Sequence, residues 1–447
     1  MSAEAVDAAV RRAEGRRPDL EMAVRAMADA LTAGEGAEMI HQAALQQFLW
    51  WYLPRKYPEE DWAGLADAAS ELLDELGMAH LANIARSEQT AAVLAAWAKG
   101  PEAGAAAFRS AHGSSGVEPP DTPVLAWGSI MGCEEAAALD TVERALGEAV
   151  TSGKLVPGAP RWCSTAAAIT ERVLTRPLDI PPGQSLAGLV TTERVGHWVD
   201  SARHPLLGDW RSLVANRLLN SIEPPPDPAA AVAPVHWLLQ LAAAPGGAEL
   251  TQSNYLARAT VVDAVERFGW WDWPKAPRSE ADVHQLSTVR EAAARLRLVR
   301  RRGRRLHIAA RGSELLAEPA ELWRAVASET EDGEEFTRMV TELVGLRLIR
   351  GQAERDELVA EIGPILAAQG WSTSNGLITP DDVASAIWRP LRWWRLHSVL
   401  DEVESTWEHG TGRRLTPHTV ALRPDDEQMV LAYLRSRAAG PRHRIYG

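Results

Sequence analysis

Nine arginines lie between Arg290 and Arg311 against a single acid, Glu291, and no other stretch of the chain concentrates so much potential chemistry. A guanidinium fork pairs with two phosphate oxygens or with O6 and N7 of guanine, so this pattern addresses nucleic acid rather than bond breaking. Arg300, Arg301, Arg302, Arg304 and Arg305 flank Gly303, with Arg311 shortly after. Just before them, Gln285, Thr288, Arg290, Arg295 and Arg297 sit at helical spacing. The first six are candidate DNA contacts from a hairpin, and the other five are candidate contacts from a helix. No comparable case exists for catalysis. The chain lacks a glycine-rich phosphate cradle, a GxSxG elbow, an HExxH helix and an EF-hand loop. Its histidines are scattered: His197 and His204 are seven residues apart, and His397 and His409 fall in different predicted elements. Cys133 and Cys163 have no CxxC partner and are expected to be buried, reduced thiols. The reading is therefore no enzyme, no metal and no cofactor.

The elements that must position the arginines follow from hydrophobic spacing. Val283, Leu286, Val289, Ala293 and Leu296 recur every three or four residues and predict a helix over 283–298. Ser279 and Asp282 form a capping-box pattern at its start. Residues 298–299 and 306–308 predict two short strands joined around Gly303, which tolerates positive φ. Upstream, residues 235–243 predict a helix, Pro245, Gly246 and Gly247 a loop, and Thr251 or Ser253 a cap for a helix running to Phe268. A tryptophan-rich insertion occupies 269–278. Helix, helix, helix, hairpin, helix is the order of a winged helix-turn-helix. A weaker echo follows in residues 357–434, where Gly412–Leu415 repeats the Gly-Arg-Arg-Leu of Gly303–Leu306. Asp381–Asp382 and Asp425–Asp426 each follow a proline at a helix start, so they read as caps at the positive dipole end rather than metal ligands.

The amino-terminal half carries almost only helical patterns, at 20–31, 38–52, 62–76, 78–98, 134–152, 164–174, 191–201 and 206–219. Proline and glycine separate them, and 113–123 is a loop that could divide the bundle. Residues 223–234 hold five prolines and predict an extended spacer. The expected architecture is mainly α: an all-helical domain over 1–222, the spacer, a winged-helix-like domain with a short β-hairpin wing over 235–328, and a degenerate second one over 334–447. Most of the 18 tryptophans adjoin leucine and valine at helical spacing and are expected in cores.

At 447 residues the chain exceeds one core, and no apolar run approaches the length of a membrane span. Its first residues lack a basic segment followed by an apolar one, which predicts a cytoplasmic protein with no membrane partner. A net charge of −13 excludes a coat of nucleic acid over the whole surface but not a local basic patch.

Residues 250–274, with Phe268-Gly-Trp-Trp-Asp-Trp-Pro, and 298–307 resemble the helical carboxy-terminal regions of uncharacterised actinobacterial proteins, some of them plasmid-associated. Residues 48–56 and 155–162 are similar to segments of the same proteins. The resemblance implies a helical fold and transfers no activity or site residue. Two functions stand as expectations: a DNA-binding, regulatory protein that grips duplex DNA with the basic wing, and an adaptor whose winged-helix modules dock a partner protein.

Overall fold

A computed structural model describes residues 3–32, 36–180, 182–374, 376–403 and 418–442. The fold is mainly α with two small antiparallel sheets of three strands each. The chain divides into two compact units, one of residues 1–193 with 441–447 and one of residues 194–440. Among the described residues no helix is long and apolar enough to cross a membrane.

The first unit is built from α1 (Ala3–Arg16), α2 (Glu21–Thr32), α3 (Gln42–Gln47), α4 (Leu53–Lys56), α5 (Trp62–Glu75), α6 (Ala79–Ala85), α7 (Glu88–Ala98), α8 (Pro101–Gly113), α9 (Cys133–Thr151), α10 (Trp162–Thr175) and the start of α11 (Leu186–Asp200). A π-helical turn, Phe48–Tyr52, joins α3 to α4. Two hydrophobic clusters result: one centred on Val24, Leu45, Leu49 and Leu72, the other on Val142, Leu146, Leu174 and Val190. The periodicity over 78–98 is two helices, broken at Arg86 and capped anew by Ser87, whose Oγ accepts from the Thr90 amide. Pro101 follows the break after α7 and opens α8, because the first helical position needs no amide donor. Cys133 and Cys163 are exposed, against the expectation of burial. Each sits in the first turn of its helix, α9 or α10, away from the apolar face.

The second unit continues with α12 (Pro205–Leu218), α13 (Pro228–Ala231), α14 (Ala233–Ala243), β1 (Ala248–Glu249), α15 (Arg258–Phe268), α16 (His284–Arg295), β2 (Val299–Arg302), β3 (Arg305–Ile308), α17 (Ala310–Ala317), α18 (Pro319–Ala327), α19 (Glu335–Ile349), β4 (Ala353–Glu354), α20 (Arg355–Ala368), α21 (Pro380–Leu396), β5 (Leu400–Val403), β6 (Thr419–Leu422) and α22 (Glu427–Ala438). The spacer is extended only in its first half. Asp227 then caps α13 through the Ala230 amide at 3.0 Å, and Val232 and Val235 are fully buried. Neither Thr251 nor Ser253 caps α15; the Thr251 hydroxyl closes a turn by accepting from the Tyr255 amide, and the helix starts at Arg258.

One order of elements occurs twice in this unit. Helix, short strand, helix, helix, two-stranded hairpin and helix describe α14 to α17 and again α19 to α22. Both sheets place the third strand in the middle, β1-β3-β2 and β4-β6-β5. The Gly412–Leu415 echo lies outside the described residues. One continuous apolar cluster runs through both repeats, with Trp210, Trp323, Trp393 and Trp394 wholly enclosed. Burying that many indole rings in one core contributes several kcal/mol per ring to its cohesion, of order 2–3 each. The Asp382 carboxylate accepts from the Thr379 amide and hydroxyl at the start of α21, which holds its pKa below the usual carboxylate range.

Candidate nucleic-acid interface

The arginine hairpin stands on α16. Ser279 and Asp282 form the capping box, although it closes a short helical turn one step ahead of α16 itself. Leu286, Val289 and Ala293 face the core with α14 residues such as Val235, Leu238 and Leu239. Leu296 ends the helix, and Arg297 takes φ 58°, a left-handed conformation that turns the chain into β2. Gly312 lets α17 approach closely: a Cβ there would stand 2.1 Å from the Leu298 carbonyl oxygen. That same oxygen accepts from the Ala309 amide at 2.9 Å.

The strands are longer than the apolar pattern predicts, because the arginines themselves are in them. Val299 pairs with Ile308, Arg300 with His307, Arg301 with Leu306 and Arg302 with Arg305. A two-residue turn closes the hairpin with Gly303 at φ 59° in its first central position. Directly opposed residues share a face, so Val299, Ile308, Arg301 and Leu306 form the inner side, and Arg300, His307, Arg302 and Arg305 the outer side. Val299 and Leu306 are buried, whereas Arg301 lies beyond them toward the tip and is exposed. β1 extends the sheet, with Glu249 opposite Arg305.

Arg300, Arg301, Arg302, Arg304, Arg305 and Arg311 are all exposed. Arg304 and Arg305 reach the carbonyls of Leu250 and Gly247 at 3.4 and 3.3 Å. Among the described residues, the ion pairs of α16 and the hairpin fall on His284, Arg290 and Arg295, and none on Arg297 or a wing arginine. The hairpin therefore presents exposed guanidinium groups that form no ion pair among the described residues.

The helix contacts are arranged differently. Arg290 donates from Nε to Glu280 Oε1 at 2.6 Å; Glu280 is fully buried and also takes the Leu256 amide at 2.6 Å. Arg295 donates from Nη2 to the carbonyls of Thr330 and Glu331 at 2.7 and 2.8 Å. Thr288 is 6% exposed. These three side chains, assigned to DNA by spacing, are thus engaged within the fold. Gln285 is half-buried and Arg297 exposed. Long-range packing explains the difference: residues 329–333 and α21 lie along the flank of α16 that faces away from α14. His284 Nε2 lies 2.9 Å from Glu331 Oε1, and Arg392 of α21 donates to both Glu331 oxygens, at 2.8 and 3.1 Å.

Residues 229–321, about a fifth of the chain, match the family model of the Y4jL N-terminal domain, and this span contains the whole first repeat. No curated protein and no solved structure matches the chain.

Proposed function

We propose that the first repeat is a winged helix that docks on the phosphate backbone of duplex DNA through its arginine hairpin. The observation that carries this reading is the set of exposed wing guanidinium groups without carboxylate partners, held on a rigid two-stranded ladder. The order α14-β1-α15-α16-β2-β3 with its β1-β3-β2 sheet supports it, since this is the topology in which a third helix and a wing face DNA together. The wing supplies the grip. Gln285 on α16 and Arg297 just beyond it remain as further contacts, and Arg290, Arg295 and Thr288 serve to hold the helix.

The test is fluorescence anisotropy of the full chain with a mixed-sequence duplex at about 50 mM salt. Replacing Arg300, Arg301, Arg304 and Arg305 together by alanine weakens binding at least about tenfold and equally across sequences, as removal of phosphate-binding cations does. Undiminished binding by that variant would remove the wing from the interface. A second reading, an adaptor that docks a partner protein, is favoured by one feature: residues 329–333 and α21 flank the side of α16 that would enter a groove. A stoichiometric protein partner that survives nuclease, from a chain that binds no DNA, would establish it.

A further inference from the structure

We infer that Trp273, in the loop ahead of α16, is a stacking platform for an unpaired base of the DNA that the wing grips. The inference rests on the reading of the first repeat as a DNA-binding module and adds a contact to it. Among the described tryptophans Trp273 alone is exposed, at 74%, whereas Trp270 and Trp271 on the same loop pack against the apolar cluster. Exposure alone would mean little, since single apolar side chains are common on protein surfaces. What distinguishes this ring is how it is held. The Trp271 indole donates to the Lys275 carbonyl at 2.7 Å and closes a bend that has Trp273 inside it. Further along, Arg258 donates to the Pro277 carbonyl at 3.3 Å, and the Asp282 carboxylate accepts from the Arg278 and Ser279 amides at 2.8 and 3.1 Å. Pro274 restricts the backbone of the residue before it, which is Trp273. The indole is presented outward on a loop tied at both ends, so little freedom is lost when it meets a partner.

The charge around the ring favours nucleic acid over an apolar protein surface. Lys275 and Arg278 are exposed and form no ion pair among the described residues, against one acid on the loop, Asp272. An aromatic face beside cations that can take phosphates is the combination by which single-stranded nucleic acid is held without regard to sequence. The same repeat carries the arginine hairpin, so both contacts address one ligand. Inside a duplex both faces of a base are covered by its neighbours. The indole can therefore stack only where a base is unpaired, as in a single-stranded tail at a duplex end.

Fluorescence anisotropy of the full chain with two probes that share one duplex tests this. One probe carries a tail of about six thymidines and the other a tail of as many abasic nucleotides, so the charges match and the difference reports the bases alone. The thymidine tail is expected to bind at least about fivefold more tightly, and that ratio holds between about 50 and 200 mM salt because stacking, unlike phosphate pairing, is not screened. Trp273→Ala brings the ratio to about one at an unchanged melting temperature, and Trp273→Phe keeps most of it. The four-arginine variant of the wing weakens both probes alike and keeps the ratio. A ratio near one in the wild type, the same ratio in Trp273→Ala, or no binding of either probe overturns the assignment. A ratio near one beside duplex binding that still depends on the wing overturns the Trp273 contact alone and leaves the indole to a protein partner. A ratio that follows Trp273 while the four-arginine variant binds like the wild type supports the stacking contact and overturns the wing.

Discussion

Glu280 is the residue on which the position of the arginine module turns. It is wholly enclosed, yet it holds Arg290 of α16 and the Leu256 amide ahead of α15, so it fixes the second and third helices to each other. Removing one partner of such a pair strands the other in a dry site. Glu280→Ala is expected to destabilise the second unit by about 3–5 kcal/mol in denaturant unfolding, while Glu291→Ala on the exposed side changes stability by less than about 0.5 kcal/mol. His397 makes the opposite bargain. It is buried at the end of α21 against Trp393, with both ring nitrogens unpartnered among the described residues, and burial pushes its pKa down to about 3 from 6.5. The folded state therefore refuses a proton that the unfolded chain accepts below pH 6.5. Stability is fully present above that pH and is lost as pH falls toward about 3, by up to about 1.4 kcal/mol per unit. Between pH 7 and 5 the wild type should lose about 2 kcal/mol more than His397→Leu. Equal losses in both would show that the imidazole is not held neutral. None of this was visible in the sequence, where Glu280 and His397 look like ordinary polar residues in helix-rich stretches.

At the scale of elements, the long helices were legible because a three-to-four-residue repeat of leucine, valine and alanine needs no tertiary information. The two-residue strands β1 and β4 were not: each gains its identity from pairing with the third strand of its sheet, and nothing local marks them. The hairpin was legible in place but not in extent. Arginine is no strong strand former, and Arg300 to Arg302 extend because Leu306 and Ile308 draw the ladder onto the core. Candidate DNA-binding residues divided in the same way. The hairpin arginines stayed exposed, whereas Arg290 and Arg295 found partners in residue 280 and residues 329–331, and Thr288 was buried, none of which spacing along one helix can reveal. Gly312 offers a test of how tightly the hairpin is seated. A methyl group there meets the Leu298 carbonyl, which is already committed to the Ala309 amide, so Gly312→Ala should cost about 1–3 kcal/mol by overpacking. At Gly303, which has open space but φ 59°, alanine should cost only about 1–2 kcal/mol of backbone strain. Thermal unfolding of the two variants side by side separates packing from backbone conformation.

Within the second unit, the two repeats share a single apolar cluster, and the stretch 328–334 that connects them is pinned by Arg295, His284, Arg389 and Arg392. A buried carboxylate, Glu342, ties the second repeat to the helices that precede the first. It accepts from Trp198 at 3.0 Å, from Arg211 at 2.6 Å and from Arg437 at 3.4 Å, linking α11, α12, α19 and α22. Limited proteolysis should accordingly leave residues 194–440 without a cut at 328–334, and release of separate repeats would contradict a shared core. The repeated order was only faintly legible, from a four-residue echo, since helices and strands of the same topology need share no sequence. Charge acts at this scale too. A chain of net charge −13 with five exposed arginines clustered on one hairpin should bind polyanions locally and with steep salt dependence. The most direct measurement is the slope of log affinity against log salt for the full chain on duplex DNA, between about 50 and 200 mM. A steep negative slope is expected, one that shallows by about 3–4 when Arg300, Arg301, Arg304 and Arg305 become alanine, close to one unit for each phosphate no longer neutralised. An identical slope in the variant, or no binding at the lowest salt, would contradict the wing as a DNA-binding element.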